Sequence, residues 1–146
     1  MTKQFIEWKD ITNFEDAYEI SNTGIIRSKD RTSIYYRLAT PVNRIIKGKE
    51  ITGSSCGKKT KDGVQYRQVI LCWNGDRRID SVHRLVVGHF IEKQDNEKCF
   101  INHINGNKRD NRASNLEWCT HLENISHSVK NNMHAFGEQL PIAQEN

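Results

Sequence analysis

The sequence predicts an α+β fold: small antiparallel strands in the N-terminal part, then a strand–loop–strand–helix unit. Two observations predict it. Isoleucine outnumbers leucine sixteen to six, and the apolar residues of the first half fall in short runs broken by turn formers, as strands do. From Asp80 onward the period changes, and Thr120-His121-Leu122-Glu123 matches a capping box, which satisfies the first free N–H groups of a helix.

Taken in order, Tyr18-Glu19-Ile20 and Ile25-Ile26-Arg27 flank Ser21-Asn22-Thr23-Gly24, a strand, a turn and a strand. Residues 29–62, rich in Lys, Arg, Gly, Ser and Thr, read as loops or edge strands. Val64 to Trp73 and Arg77 to Val82 flank Asn74-Gly75, a dipeptide suited to a tight hairpin because both residues tolerate positive φ. In the first of these strands Val64, Tyr66, Gln68, Ile70 and Cys72 form the more apolar face, and Gln65, Arg67, Val69, Leu71 and Trp73 the mixed one. Arg84 to Ile91 reads as a short amphipathic helix with Asp80 or Ser81 near its cap. Phe100 to Ile104 is a strand, Asn105-Gly106 a turn, and Asn115 to Cys119 a second strand. The helix behind Thr120 carries Leu122, Ile125 and Val129 on one stripe and Asn124, His127, Ser128 and Asn131 on another. Residues 132–146 lose the pattern and read as a frayed tail.

The chain has 146 residues, enough for one domain or a small domain with an attached module. No apolar run approaches the roughly 18–20 residues of a membrane span. Met1 to Asp10 carries charges and Trp8 where a secretion signal needs an uncharged apolar centre. Neither secretion nor membrane insertion is expected, and the expected location is cytoplasmic. Four cysteines at positions 56, 72, 99 and 119 lack the C-x2–4-C pairing that presents two thiolates to one zinc ion, so no structural zinc is expected and free thiols are the default.

The net charge of +4 hides an asymmetry. Residues 27–61 hold ten basic side chains and two acidic ones, while residues 1–26 and 62–146 are each net acidic. A basic block of this kind is the footprint of a polyanion binder. Charge alone does not separate DNA from RNA or an acidic membrane surface.

Eight of the fourteen asparagines fall between Asn102 and Asn132. Asn105, Asn107 and Asn111 read as turn formers. Asn102 and His103 lie on a strand, Asn115 opens the next, and Asn124 sits in the first turn of the last helix. If that helix folds back over the two strands, His103, Asn115 and Asn124 converge. A histidine among amide oxygens has the parts of a hydrolytic site. Imidazole titrates near neutrality and can take a proton from water; one amide carbonyl can fix its tautomer, and others can hold a hard cation such as Mg²⁺.

These residues carry a resemblance. His83-Arg84-Leu85-Val86, Asn102-His103-Ile104-Asn105-Gly106-Asn107-Lys108, Asn111, Asn115-Leu116-Glu117-Trp118, Glu123-Asn124 and Ser126-His127 resemble, in that order, the HNH endonucleases of the homing type. Trp8-Lys9-Asp10-Ile11, Tyr18-Glu19-Ile20-Ser21-Asn22-Thr23-Gly24 and Arg27-Ser28 are similar to the nuclease-associated module that often precedes that domain. The resemblance spans roughly residues 5–130.

It implies a β-rich DNA-binding module over 1–82, a ββα-metal nuclease unit over 83–131 and a tail over 132–146. The activity implied is divalent-metal-dependent cleavage of double-stranded DNA, as a nick or a double-strand cut, leaving 5′-phosphate and 3′-hydroxyl ends. One Mg²⁺ or Mn²⁺ ion per site and a monomer are expected. By the same resemblance His103 is the general base, Asn115 orients it through its side-chain carbonyl, and Asn124 is a metal ligand. Asn102 stands where many members carry an aspartate ligand, and it lacks that carboxylate's charge. A second reading follows from this departure, a DNA-binding protein that keeps the fold but cleaves weakly or not at all.

His83 and His127 are auxiliary candidates. The basic block supplies Arg27, Arg31, Arg44, Lys47 and Lys49 as candidate phosphate contacts, with Arg67 from the following strand. Neutralising about six to eight phosphates gives a log–log salt slope of roughly −5 to −7. Many members continue into another DNA-binding segment, so specificity is expected to be relaxed or supplied by a partner.

Overall fold

In the computed structural model, which describes residues 5–52 and 66–131, the chain begins with a four-stranded antiparallel sheet. β1 (Trp8–Asp10), β2 (Tyr18–Ser21), β3 (Ile26–Ser28) and β6 (Glu50–Ile51) lie in the order β1-β2-β3-β6. The turn between β2 and β3 closes on Ser21, whose Oγ accepts the Ile25 N–H at 3.0 Å. Gly24 takes the left-handed φ of +80° that an L side chain resists.

Between β3 and β6 a hairpin of β4 (Arg31–Arg37) and β5 (Thr40–Ile46) turns at Leu38-Ala39. Of the stretch expected to be loops or edge strands, Arg31 to Ile46 is therefore a regular hairpin. Most of the hairpin is exposed, with Leu38 at its tip 95% exposed. Strands solvated on both faces leave no apolar alternation in the sequence to betray them.

β7 (Gln68–Trp73) and β8 (Asp76–Ser81) form the hairpin expected around Asn74-Gly75, with φ of 49° and 87° at the two turn residues. The mixed face of β7 is the buried one. Val69 and Leu71 are buried while Ile70 and Cys72 are exposed. Arg67, on the inward set, reaches the carbonyls of Gly24 and Ile51; the polar residue that made this face look mixed is satisfied by backbone. Val64 and the 132–146 tail lie outside the described residues.

α1 (Val82–Phe90) follows β8 directly, with Ser81 as N-cap but no side-chain cap bond. Then come β9 (Phe100–His103), a single 3₁₀ turn at Ala113–Asn115, β10 (Leu116–Cys119) and α2 (His121–Lys130). The capping box is present in full: Thr120 Oγ1 accepts the Glu123 N–H, and the Glu123 carboxylate accepts the Thr120 N–H. The stripe Leu122, Ile125 and Val129 faces solvent, at 75, 41 and 58% exposure.

One core joins the two halves. Ile11, Ile20 and Ile26 pack with Leu71, Val86 and Leu116. Polar links reinforce it: the Ala113 N–H donates to the Asn22 carbonyl at 2.8 Å, and Tyr18 Oη donates to the Cys72 carbonyl at 3.0 Å. No helix among the described residues is long and apolar enough to cross a membrane.

Candidate active site

β9 and β10 pair antiparallel, with His103 opposite Leu116 and Asn102 opposite Glu117. The chain between them, residues 104–112, is held by its own amides. Asn105 accepts the Asn107 N–H, and Asn107 accepts the Arg109 N–H, at 2.9 and 3.0 Å. Asn105 Nδ2 donates to Asp110 at 3.0 Å, and Arg112 pairs with the same carboxylate at 2.6 Å. The Arg112 hydrogen bond holds the Asp110 pKa at about 2. Short side-chain amides that mimic turn backbone explain why asparagine dominates this stretch.

Asn115 belongs to this scaffold. Its Oδ1 accepts the Asn105 N–H at 3.0 Å, and its Nδ2 donates to Asn105 Oδ1 and the Asp110 carbonyl, both at 2.9 Å. The Asn115 carbonyl accepts from the loop backbone, and among the described residues no hydrogen bond joins its side chain to His103, the partner expected for it. The residue that reaches His103 is Asn111, whose Oδ1 lies 3.1 Å from Nε2. Asn111, expected to be a turn former, is signalled in the sequence only by the asparagine cluster and by its place among the residues that carry the HNH resemblance.

A carbonyl oxygen accepts only, so this bond requires the proton on Nε2. Nδ1 then carries the lone pair, and it has no hydrogen bond among the described residues. His103 is buried, and burial lowers its pKa below 6.5, partly opposed by the Asn111 bond and the Asp110 charge. The imidazole is thus neutral near pH 7, the state a general base needs.

His83 lies against it, with ring centroids 5.5 Å apart, and Tyr66 covers His83 at 4.7 Å. Desolvation first, then the positive fields of His103 and Arg84, push the His83 pKa down to about 4. Its Nδ1 is buried with no hydrogen-bond partner among the described residues.

Asn102, His103, Asn124 and His127 line one cavity of about 180 Å³, together with Tyr66 and Lys108. His127 Nε2 donates to the Ile104 carbonyl at 3.0 Å, tying α2 to the end of β9. Of the predicted site residues, then, the fold gathers His103, Asn102, Asn124 and His127, sets His83 behind them, and leaves Asn115 beneath. Among the described residues no group of three His, Cys, Asp or Glu side chains could hold a metal ion. The oxygen donors at hand are amide carbonyls, which are hard ligands of the kind Mg²⁺ and Mn²⁺ accept.

The basic residues divide. On the β4–β5 hairpin Arg31, Arg37 and Arg44 share one face, since Ser33 is opposite Arg44 and alternate residues share a side. Lys49 is exposed, and Lys47 pairs with Asp30 at 2.9 Å. Arg27 is tied to Glu19 at 2.6 Å and lies over the Trp8 ring, and Arg67 is spent on backbone carbonyls.

The NUMOD4 motif family matches residues 7–72 and the HNH endonuclease family residues 80–125. DNA endonuclease I-HmuI of Bacillus phage SP01 is 32% identical over 125 residues, covering 85% of this chain and 58% of that protein. An uncharacterized HNH endonuclease of Acanthamoeba polyphaga mimivirus is 51% identical over 59 residues, 40% of this chain and 15% of that one. A solved structure concerning DNA binding and cleavage by I-HmuI aligns with a TM-score of 0.59 at 28% identity, covering 88% of this chain and 60% of that one. The chain spans less than two thirds of the length of each of these relatives.

Proposed function

From a chain that belongs to the HNH endonucleases, with a NUMOD4 motif ahead of the nuclease unit, we propose a divalent-metal-dependent DNA endonuclease of the homing type. The observation that carries this reading is the 180 Å³ cavity in which Asn102 and Asn124 flank a neutral His103.

His103 Nδ1 takes a proton from water as that water's oxygen bonds to the scissile phosphorus. The P–O3′ bond breaks, and the departing oxygen takes a proton from solvent water, leaving 5′-phosphate and 3′-hydroxyl ends. Asn111 keeps the proton on Nε2, leaving Nδ1 free to accept the water's proton. Asn102 and Asn124 would hold one Mg²⁺ or Mn²⁺ ion, which supplies Lewis-acid stabilisation of charge on the phosphate. His127 and His83 are auxiliary, the first anchoring α2 and the second packing against the base. Asn115 acts through the loop rather than on substrate.

The substrate is double-stranded DNA. Phosphate contacts come from the hairpin face of Arg31, Arg37 and Arg44 and from Lys47 and Lys49, while Arg27 and Arg67 brace the module. The functional division falls near residue 82, the protein acts as a monomer, and its place of action is the cytoplasm.

Incubating the protein with supercoiled plasmid and Mg²⁺ or Mn²⁺ tests the reading. Open circles that form with metal and vanish with EDTA are expected. DNA retention without cleavage in either metal would favour a DNA-binding protein with a spent site, the reading that an amide at Asn102 in place of a carboxylate supports.

A further inference from the structure

We infer that Glu117 is a positioning residue for the metal site, fixing the Asn102 amide and supplying the negative charge that amide lacks. The inference rests on the nuclease reading above.

Asn102 and Glu117 face each other across the β9–β10 ladder. Asn102 Nδ2 donates to Glu117 Oε1 at 2.8 Å, a bond to an ionised acceptor and so stronger than a neutral one. A carboxylate accepts and cannot donate at neutral pH, which settles the amide's orientation. Nδ2 must face Glu117, and Oδ1 is the atom left for the cavity. Glu117 does not line that cavity; it lines a neighbouring groove of about 420 Å³, with Asn102 and His127 common to both. Asn102 is thus a buried partition, with a carboxylate behind it and the candidate metal site in front.

The charge matters as much as the orientation. A carboxylate accepting from an amide N–H polarises the amide and places more negative charge on its oxygen. No Lys or Arg among the described residues pairs with Glu117; the nearby Lys98 pairs with Glu123 at 3.7 Å. Glu117 is exposed, with Lys98 and Lys130 along the same groove, and its charge lies one hydrogen bond behind the ligand oxygen. Carboxylates behind metal ligands commonly govern affinity by 10–100-fold.

Mn²⁺ titration of the full chain followed by electron paramagnetic resonance, with duplex DNA present, tests this. Glu117→Ala should weaken Mn²⁺ binding by about tenfold or more. Glu117→Gln, which keeps an acceptor for Asn102 but not the charge, should lose less. In the double variant Asn102→Asp, Glu117→Gln, carboxylate and amide change places, and binding should return to the wild-type level or better. Asn102→Asp alone sets two carboxylates face to face and should gain less than the double variant. A pair that serves only the sheet would lower the melting temperature of Glu117→Ala and leave Mn²⁺ affinity untouched, and that result overturns the inference while leaving the nuclease reading in place. A wild-type chain that binds no Mn²⁺ overturns both.

Discussion

The side-chain carbonyl of Asn111 sits 3.1 Å from Nε2 of His103, and that one bond decides which imidazole nitrogen can act as a base. Nothing else among the described residues sets the tautomer. Asn111→Ala should leave the fold intact and slow DNA nicking by about 10–100-fold, the range typical of an orienting partner. The ¹⁵N spectrum of the His103 ring should at the same time change from one tautomer to a mixture. An unchanged nicking rate would remove Asn111 from the mechanism.

Asn111 is itself held from the N-terminal module. A Cβ added to Gly24 would stand 3.0 Å from the Asn111 backbone oxygen and 3.1 Å from its Cβ, at a φ of +80°. Gly24→Ala should cost about 1–3 kcal/mol in stability, from left-handed strain and overpacking together. It should also lower the nicking rate, because the displaced group carries the His103 contact. Urea unfolding and plasmid nicking on the same preparation measure the two effects.

His83 makes stability depend on pH. The folded chain keeps it neutral down to about pH 4, whereas an unfolded histidine protonates near 6.5. Between these values the unfolded state binds the extra proton, so stability falls as pH falls. The contribution is complete above 6.5 and declines by up to about 3 kcal/mol toward pH 4. His83→Phe, which keeps a ring beside Tyr66, should flatten this dependence in urea titrations at about pH 5 and pH 7.

The arginines separate by what they already touch. Arg44→Ala, on the exposed hairpin face, should weaken DNA binding and reduce the salt slope by about 1. Arg67→Ala removes bonds to the Gly24 and Ile51 carbonyls and should lower the melting temperature instead. Fluorescence anisotropy across a salt series, alongside thermal melts, distinguishes the two.

What the sequence made legible was local. The capping box at Thr120 and Glu123 and the Asn74-Gly75 hairpin are short-range signals, and both formed as read. Asn102, His103 and Asn124 converge because β9, β10 and α2 are consecutive, so their motif order already implied their meeting. The β4–β5 hairpin was legible only as loops or edge strands, since residues solvated on both faces show no period. The inward face of β7 was not legible, because Arg67 looks polar until its carbonyl partners are known. Asn111 was hidden for a different reason. Its reach to His103 depends on how Asn105, Asp110 and Asn115 fold the loop, and no spacing rule encodes that return.

The central claim is that His103, neutral and held by Asn111, is the base of a metal-dependent nuclease. Single-turnover nicking of supercoiled plasmid by wild type and His103→Ala, in the same concentration of Mg²⁺ or Mn²⁺, tests it most directly. Loss of about 10²–10⁴-fold in rate in the variant, with DNA binding and melting temperature retained, is the predicted result. Open circles forming at equal rates in both proteins would contradict it.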